Sequence, residues 1–361
     1  MGVPADVLTT VVAESTETLH APHRMIRRRF MTSSQNPTSF RLITMYACLF
    51  GWLLPKLLLR SYPVIVLNIS AIGNGFFSLL IHLFRLPVVV IAYGEEITLS
   101  LYSTSWKGVL KKVMIRYYRC ASLIVCVCDF VKDLLIDRLH CKPDRLVVIP
   151  TPLFRAKQAS RPSDLSVPRV LSVGRLIKRK GFDLLIRAFE EVHQAMPGAE
   201  LVIVGAGPDR ERLEALIRER NLGHCVKIRS GLSDADLAAL YQTSRVFVLA
   251  NVMLSNGDCE GCPNVVIEAS ASGLPVIGGI EGGASSAIID GVTGFLIDPH
   301  NSAILTEKIL VLLKDIALAK KMGEAGIQKV HEAHDSVRSG EIFGERIRLL
   351  MPRHRPAGEL V

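Results

Sequence analysis

The 361-residue sequence predicts an α/β protein built of two Rossmann-like lobes. Three observations carry this. The length is about twice that of a typical domain. Close to half of the residues are apolar and fall in short Val/Ile/Leu runs split by Gly, Pro and charge, the pattern of buried parallel strands alternating with helices. That pattern also runs twice, on either side of a segment from Pro152 to Pro168 that is rich in Pro, Ser and charge and has no apolar period. The expected organisation is a first lobe over 1–160, a second over 161–335, and a C-terminal helix and tail over 336–361.

In chain order, 42–59 is an apolar stretch. Pro55 and Lys56 near its end make 42–59 a buried or interface-lying helix rather than a membrane span. Strands are expected at 63–69, 87–92, 122–128 and 146–149, with helical stretches between several of them. After the linker, strands at 169–173, 201–204, 226–228, 246–249 and 275–277 alternate with helices near 181–195, 208–220, 234–243 and 263–272. From about 302 the chain reads as helical to near Met351, followed by a disordered basic tail.

Charge is placed unevenly. Residues 1–160 hold 19 Lys/Arg against 9 Asp/Glu, so the first lobe accounts for the whole of the formal +9 and the rest of the chain is close to neutral. A basic lobe suits anionic lipid, a phosphate-bearing substrate or simply solvent. Stacking aromatics are not interleaved with the cations, so a nucleic-acid partner is not expected. Eight cysteines without an N-terminal signal peptide fit reduced thiols in a cytoplasmic protein. Cys259 and Cys262 form a CxxC, but the only other close pair, Cys126 and Cys128, lies inside an expected strand. No metal site is therefore expected.

Ligands of doubly wound lobes sit beyond the carboxyl ends of the strands, so chemistry is sought in those loops. The first strand of the second lobe runs into Gly174-Arg175-Leu176, then Lys178-Arg179-Lys180-Gly181 and a helix. A Gly turn with Arg175 and Lys180 at a helix start can hold a diphosphate with two cations and the helix dipole. Downstream, Glu260-Gly261-Cys262-Pro263-Asn264-Val265 leads into a helix carrying Glu268. Pro263 at its first position leaves the amides of Asn264 and Val265 free for a phosphate. One carboxylate beside a ribose and the other beside a hexose would complete a donor site. Val204-Gly205-Ala206-Gly207 begins like a dinucleotide fingerprint, but Arg210 stands at the third glycine position, so it is read as a strand-to-helix turn.

Gly174-Arg175-Leu176 with Lys180-Gly181, Val204 to Pro208, the E-x7-E pair Glu260 and Glu268, Ala271 to Val276 and Gly291 to Leu296 together resemble the retaining, metal-independent glycosyltransferases of the GT-B fold, family 4. The resemblance runs in order over about 169–300. It implies a nucleotide-diphosphate sugar as co-substrate, no cofactor and no metal, and a glycan or lipid-linked acceptor in polysaccharide or glycolipid biosynthesis. Arg175 and Lys180 would meet the diphosphate, Glu268 the ribose and Glu260 the sugar, with the amides from Gly261 through Asn264 to Val265 at the phosphate and sugar. The catalytic set implied is Glu260, Arg175 and Lys180.

The first lobe departs from the family. Tyr93, followed by Gly94 and Glu95 on the acceptor side, stands where the family has His, and Cys128-Asp129-Phe130 replaces a Ser-containing turn. Ala5–Thr10 reads like the family's second strand, so the first strand, its Gly-rich loop and the first helix are expected to be missing, with a true start upstream favoured over a damaged first lobe. Three readings stay open: a transferase peripheral to the cytoplasmic face of a membrane, an inactive relative serving as a binding or assembly subunit, and a nicotinamide oxidoreductase. The unfinished fingerprint counts against the last.

Overall fold

The computed structural model describes residues 6–10, 24–28, 64–68, 84–102, 107–153 and 167–351, with the single positions 51, 54, 55, 58 and 165. Most of the apolar stretch 42–59, most of the linker 152–168 and the tail beyond Met351 lie outside the described residues.

Strands β1 (Asp6–Thr10) and β2 (Arg24–Arg28) pair with each other in parallel as a two-stranded sheet. The first lobe's main sheet takes β3 (Ile65–Asn68), β4 (Val88–Ala92), β5 (Leu123–Cys126) and β6 (Leu146–Val148) in chain order, all parallel. The strand expected at 5–10 forms, but among the described residues neither β1 nor β2 is hydrogen-bonded to this sheet. Helices α1 (Glu95–Tyr102), α2 (Lys107–Cys120) and α3 (Asp129–Asp137) connect its strands. Val88, Val90, Ile124 and Cys126 pack with Tyr117, Tyr118 and Leu135 on one face, which is why these strands read as unbroken apolar runs.

The second lobe is a six-stranded parallel sheet. Its strands are β7 (Arg169–Val173), β8 (Glu200–Val204), β9 (Val226–Arg229), β10 (Val246–Leu249), β11 (Val276–Gly279) and β12 (Gly294–Ile297), in the order β12-β11-β10-β7-β8-β9. The order reverses between β7 and β10, so the loops leaving those two strands open a crevice at their carboxyl ends. Helix α4 (Phe182–Ala195) follows β7 and buries Phe182, Leu185, Ile186, Phe189 and Val192, a helical stripe worth about 1.5–3 kcal/mol for each large side chain removed from water. Helices α5 (Arg210–Glu219), α6 (Asp234–Gln242), α7 (Asn264–Ala271) and the short α8 (Ala284–Ala287) complete the alternation. The sequence reading places all but the last of these within two residues. It did not assign β2, β12 or α8.

Beyond β12 come α9 (Ser302–Lys314), α10 (Ile316–Ala333) and α11 (Ser336–Leu350), as the helical reading from 302 expects. Ile342, Phe343 and Leu350 of α11 cross back to pack on Val89, Leu123, Val125 and Ile149 of the first lobe. His334, which ends α10, also joins the lobes, since its Nδ1 donates to the Thr151 carbonyl at 3.0 Å.

Burial lowers the pKa of His334, the hydrogen bond to Thr151 opposes this, and Lys329 adds to the lowering. The folded value thus lies below the unfolded one, and near pH 6 the unfolded chain binds more protons. This contribution to stability is complete above about pH 6.5 and is lost as pH falls through the folded value. The melting temperature is expected to climb from about pH 5 to 7 more steeply for the wild type than for His334→Asn, which keeps a donor but does not titrate. Parallel profiles for the two proteins would show that His334 is not responsible.

Candidate functional site

The crevice between β7 and β10 is built by close backbone packing. After β7, Gly174 donates to the Val204 carbonyl at 2.9 Å and Leu176 to Ala206 at 2.9 Å, so this loop leans on the turn that follows β8. A Cβ at Gly205 would come within 1.9 Å of the Gly174 carbonyl oxygen, so Gly205-Ala206-Gly207 serves as a packing turn. Residues Lys178–Lys180 form one 3-10 turn closed by Gly181, whose φ of 64° is left-handed. A Cβ at Gly181 would lie 1.7 Å from the Ala250 carbonyl oxygen, so the loop is pressed against the end of β10.

That turn sends two cations inward. Lys180 Nζ donates to Glu260 Oε2 at 2.8 Å, and Arg179 Nε donates to Glu260 Oε1 at 2.7 Å. All three residues are buried, at 8 %, 7 % and 6 % exposure for Lys180, Arg179 and Glu260. Arg179 also pairs with Asp258 and, across the lobes, with Glu95 Oε2 at 3.1 Å. Burial alone would push the Glu260 carboxyl up, but Lys180 and Arg179 outweigh it and hold its pKa below the ordinary carboxylate value. For Arg179, burial works against the charge, yet Glu260, Glu95 and Asp258 together raise its pKa. Two cations facing three carboxylates leave one net negative charge, so the group is a nearly balanced ionic cluster.

Glu260 and Lys180, which the sequence analysis singles out, are therefore brought together, and the first-lobe Glu95 joins them through Arg179. Arg175 is exposed and has no ion pair among the described residues. Helix α7 begins one residue later than expected: Pro263 has an extended ψ of 103° and precedes it, so Asn264 is the first helical residue. Asn264 is exposed and Val265 half-buried, and first-turn amides have no carbonyl one turn earlier to bond to. Glu268, just over one turn in, accepts from the Tyr241 hydroxyl at 3.3 Å. Burial first, and then this carboxylate, raises the Tyr241 pKa, so the phenol stays a donor at neutral pH.

The first lobe meets the loop before α7 directly. A Cβ at Gly261 would fall 1.8 Å from the Tyr93 carbonyl oxygen, and one at Gly94 would fall 3.3 Å from the Gly261 Cα. Cys128 Sγ donates to the Gly261 carbonyl at 3.2 Å, and the Phe130 amide to Ser286 Oγ at 3.0 Å. Tyr93 is 41 % exposed, with its amide donating to Glu96 Oε1 at 2.9 Å, the carboxylate that also receives the Tyr118 hydroxyl. A cleft of about 770 Å³ lies between the lobes, lined among others by Asp129, Asp133, Phe130, Met253, Ser285 and Lys329.

Arg179, Asp258 and Glu96 escaped the sequence reading. Arg179 stands in a run of three cations, and nothing in the run marks the middle one as buried. Asp258, two residues before Glu260, carries the one available hint, a second carboxylate in the same loop.

Comparison with known proteins extends this geometry. The profile of the family described as Glycosyl transferases group 1 matches residues 154–329, and that of Glycosyltransferase Family 4 matches residues 5–153. A GDP-mannose-dependent alpha-(1-6)-phosphatidylinositol monomannoside mannosyltransferase of Mycolicibacterium smegmatis is 35 % identical over 49 % of this chain and 47 % of its own length. A putative colanic acid biosynthesis glycosyltransferase of Escherichia coli, WcaL, is 25 % identical over 48 % of this chain and 43 % of its own. The chain thus spans about half the length of the curated relatives it matches. Among solved structures, sucrose-phosphate synthase of Thermosynechococcus elongatus superposes with a TM-score of 0.75 at 22 % identity, over 96 % of this chain and 88 % of that one. Anabaena HepE in complex with UDP superposes with 0.71 at 18 % identity, over 91 % and 86 %. The fold is shared with these, and with the two profiles together spanning residues 5–329 the chain belongs to the group 1 glycosyltransferases of GT-B architecture.

Proposed function

We propose that this chain transfers a sugar from a nucleotide-diphosphate sugar to a lipid-linked or glycan acceptor, with retention of configuration and without a metal at the donor site. The observation that carries the reading is the buried Lys180–Glu260–Arg179 cluster at the switch point of the second lobe, beside the open amides of α7. A diphosphate entering there meets Lys180, the exposed Arg175 and the first amides of α7. Charge developing on the leaving diphosphate is taken up by groups already in place. As the diphosphate draws on Lys180, Glu260 Oε2 becomes free to accept hydrogen bonds from sugar hydroxyls, and Glu268 on α7 takes those of the ribose. Contact between the Tyr93-Gly94 segment and Gly261 limits water at the reacting carbon. The acceptor enters through the cleft lined by Asp129 and Phe130.

The named mannosyltransferase relatives support GDP-mannose as the donor to try first and a phosphatidylinositol-anchored glycan as the acceptor class, in glycolipid biosynthesis. No helix among the described residues is long and apolar enough to cross a membrane. The basic first lobe is suited to approaching anionic lipid from the cytoplasmic face.

Titration with GDP, UDP and their sugars, with chelator present, tests the donor site. One nucleotide is expected to bind, and Glu268→Ala to weaken it about 10- to 100-fold through loss of charge-assisted hydrogen bonds to the ribose. Unchanged affinity in Glu268→Ala would remove that carboxylate from the site, and turnover that requires an added divalent ion would remove the metal-independent mechanism.

A further inference from the structure

A second cluster of chemically capable side chains lies at the opposite end of the second lobe. His193 sits in the last turn of α4, which leads into β8, and His224 and Cys225 directly precede β9, so all three stand at the amino-terminal edge of the sheet, opposite the edge that carries the donor loops. His193 Nε2 and His224 Nε2 are 2.9 Å apart, and these nitrogens and the Cys225 sulfur all lie within 4.8 Å of one another. We propose that His193, His224 and Cys225 form a binding site for a zinc ion.

The frame is rigid where a site needs it. His193 Nδ1 lies 3.3 Å from the Ala199 carbonyl oxygen. A carbonyl can only accept, so Nδ1 carries the proton and Nε2 offers its lone pair toward His224. This is the outer-shell arrangement that orients metal-bound histidines. Cys225 is fixed by its own amide, which donates to Leu222 at 3.0 Å, and by its carbonyl, which accepts from Leu201 of β8 at 2.9 Å. Its thiol donates to the Leu222 carbonyl at 3.5 Å and is buried, while His224 is exposed, so the cluster has a protein-facing sulfur and a solvent-facing entrance.

The donor set selects the ion. Two imidazoles and a thiolate suit zinc, whereas magnesium and calcium take oxygen ligands. With Zn–N at about 2.0–2.1 Å and Zn–S at about 2.3 Å, tetrahedral geometry needs the two nitrogens to part slightly and the sulfur to close in, both within reach of side-chain rotation. A water or an outside ligand fills the fourth position. Loading releases the Cys225 thiol proton to solvent and moves the His224 proton from Nε2 to Nδ1, so both atoms become donors to the metal. The bound ion ties the end of α4 to the start of β9 and stabilises the folded lobe alone.

The full chain, stripped of metal with chelator and dialysed, is titrated with zinc chloride and separately with cobalt(II) chloride. One equivalent of zinc is expected to bind, raising the melting temperature by roughly 5–10 °C at a free concentration about 100-fold above Kd. Cobalt should give the visible bands of a tetrahedral ion with a thiolate charge-transfer band, the latter absent in Cys225→Ser. His224→Ala removes an exposed ligand without touching the core and should lower zinc affinity by more than the ~10–100-fold that loss of an outer-shell partner alone brings. If the wild type binds no stoichiometric zinc, or if one equivalent binds equally well to His224→Ala and Cys225→Ser, the site does not exist. Should Cys225→Ser fold poorly, His224→Ala and the wild-type cobalt spectrum decide alone.

Discussion

Glu260→Ala is expected to slow sugar transfer about 10- to 100-fold while leaving nucleoside diphosphate binding as tight as in the wild type, or tighter. The rate loss follows from removing charge-assisted hydrogen bonds, each worth about 1.5–3 kcal/mol. The binding result follows from the ion cluster. In the free protein Glu260 holds Lys180 at 2.8 Å and Arg179 at 2.7 Å, so a diphosphate must compete with a carboxylate already in place. Deleting that carboxylate removes the competitor and turns the cluster from one net negative charge to neutral. Breaking a buried pair typically costs about 3–5 kcal/mol; Arg179 keeps Asp258 and Glu95, but the buried Lys180 loses its carboxylate, so the loss of stability should fall within that range. Glu260→Gln retains the shape and should recover stability without recovering turnover. Calorimetry with GDP and UDP, beside initial rates with the donor sugar, separates the effects. If affinity and rate fall together by the same factor, Glu260 acts on the nucleotide, and its assignment to the sugar is wrong.

Much of this site can be read in the chain before any coordinates, for reasons that differ between its parts. Strands such as Arg169–Val173 and Val246–Leu249 are buried on both faces, so they appear as apolar runs that need no partner to be recognised. Gly294–Ile297 is an edge strand with only its ends fully buried, and the sequence reading has it only within the Gly291 to Leu296 motif, not as a strand. Lys180 and Glu260 stand next to Gly and near Pro, residues whose backbone demands announce a turn at a strand end. Arg179 gave no such sign. In a 3-10 turn successive side chains point about 120° apart, and Lys178-Arg179-Lys180 does not say which of them face the protein. The answer comes from Gly181, whose left-handed φ of 64° seats the turn against Ala250, and from the β7–β10 adjacency that carries Asp258 to the same place. Glu95 lay in plain view as an acceptor-side residue. Only the meeting of Gly94 with Gly261 makes it a partner of the donor-side arginine.

That meeting makes Gly261→Ala the substitution with the largest expected effect per atom added. A methyl at Gly261 would stand 1.8 Å from the Tyr93 carbonyl oxygen, where ordinary contact begins near 3.4 Å, and the obstacle is backbone that no side-chain rotation can clear. Retreat on the other side is blocked too, since a Cβ at Gly283 would already lie 1.4 Å from the Gly261 carbonyl oxygen. Relief therefore requires the lobes to part or the loop to shift by more than an ångström, and either moves Glu260, the neighbouring residue. Misplacement of about 1 Å can cost about 100-fold in rate, so Gly261→Ala should lose at least that much turnover. The fold should survive, because each lobe keeps its own core. The cross-lobe pair from Arg179 to Glu95 and the Cys128 hydrogen bond to the Gly261 carbonyl should open together. Glu95→Gln, expected to slow the wild type by weakening the pair with Arg179, should then add nothing to Gly261→Ala. Gly198→Ala supplies the control, with no atom within 4 Å of the added methyl and turnover expected at the wild-type level. Wild-type rates in Gly261→Ala would mean that the Tyr93–Gly261 contact is not part of the working geometry, and that the lobes already stand apart when sugar is transferred.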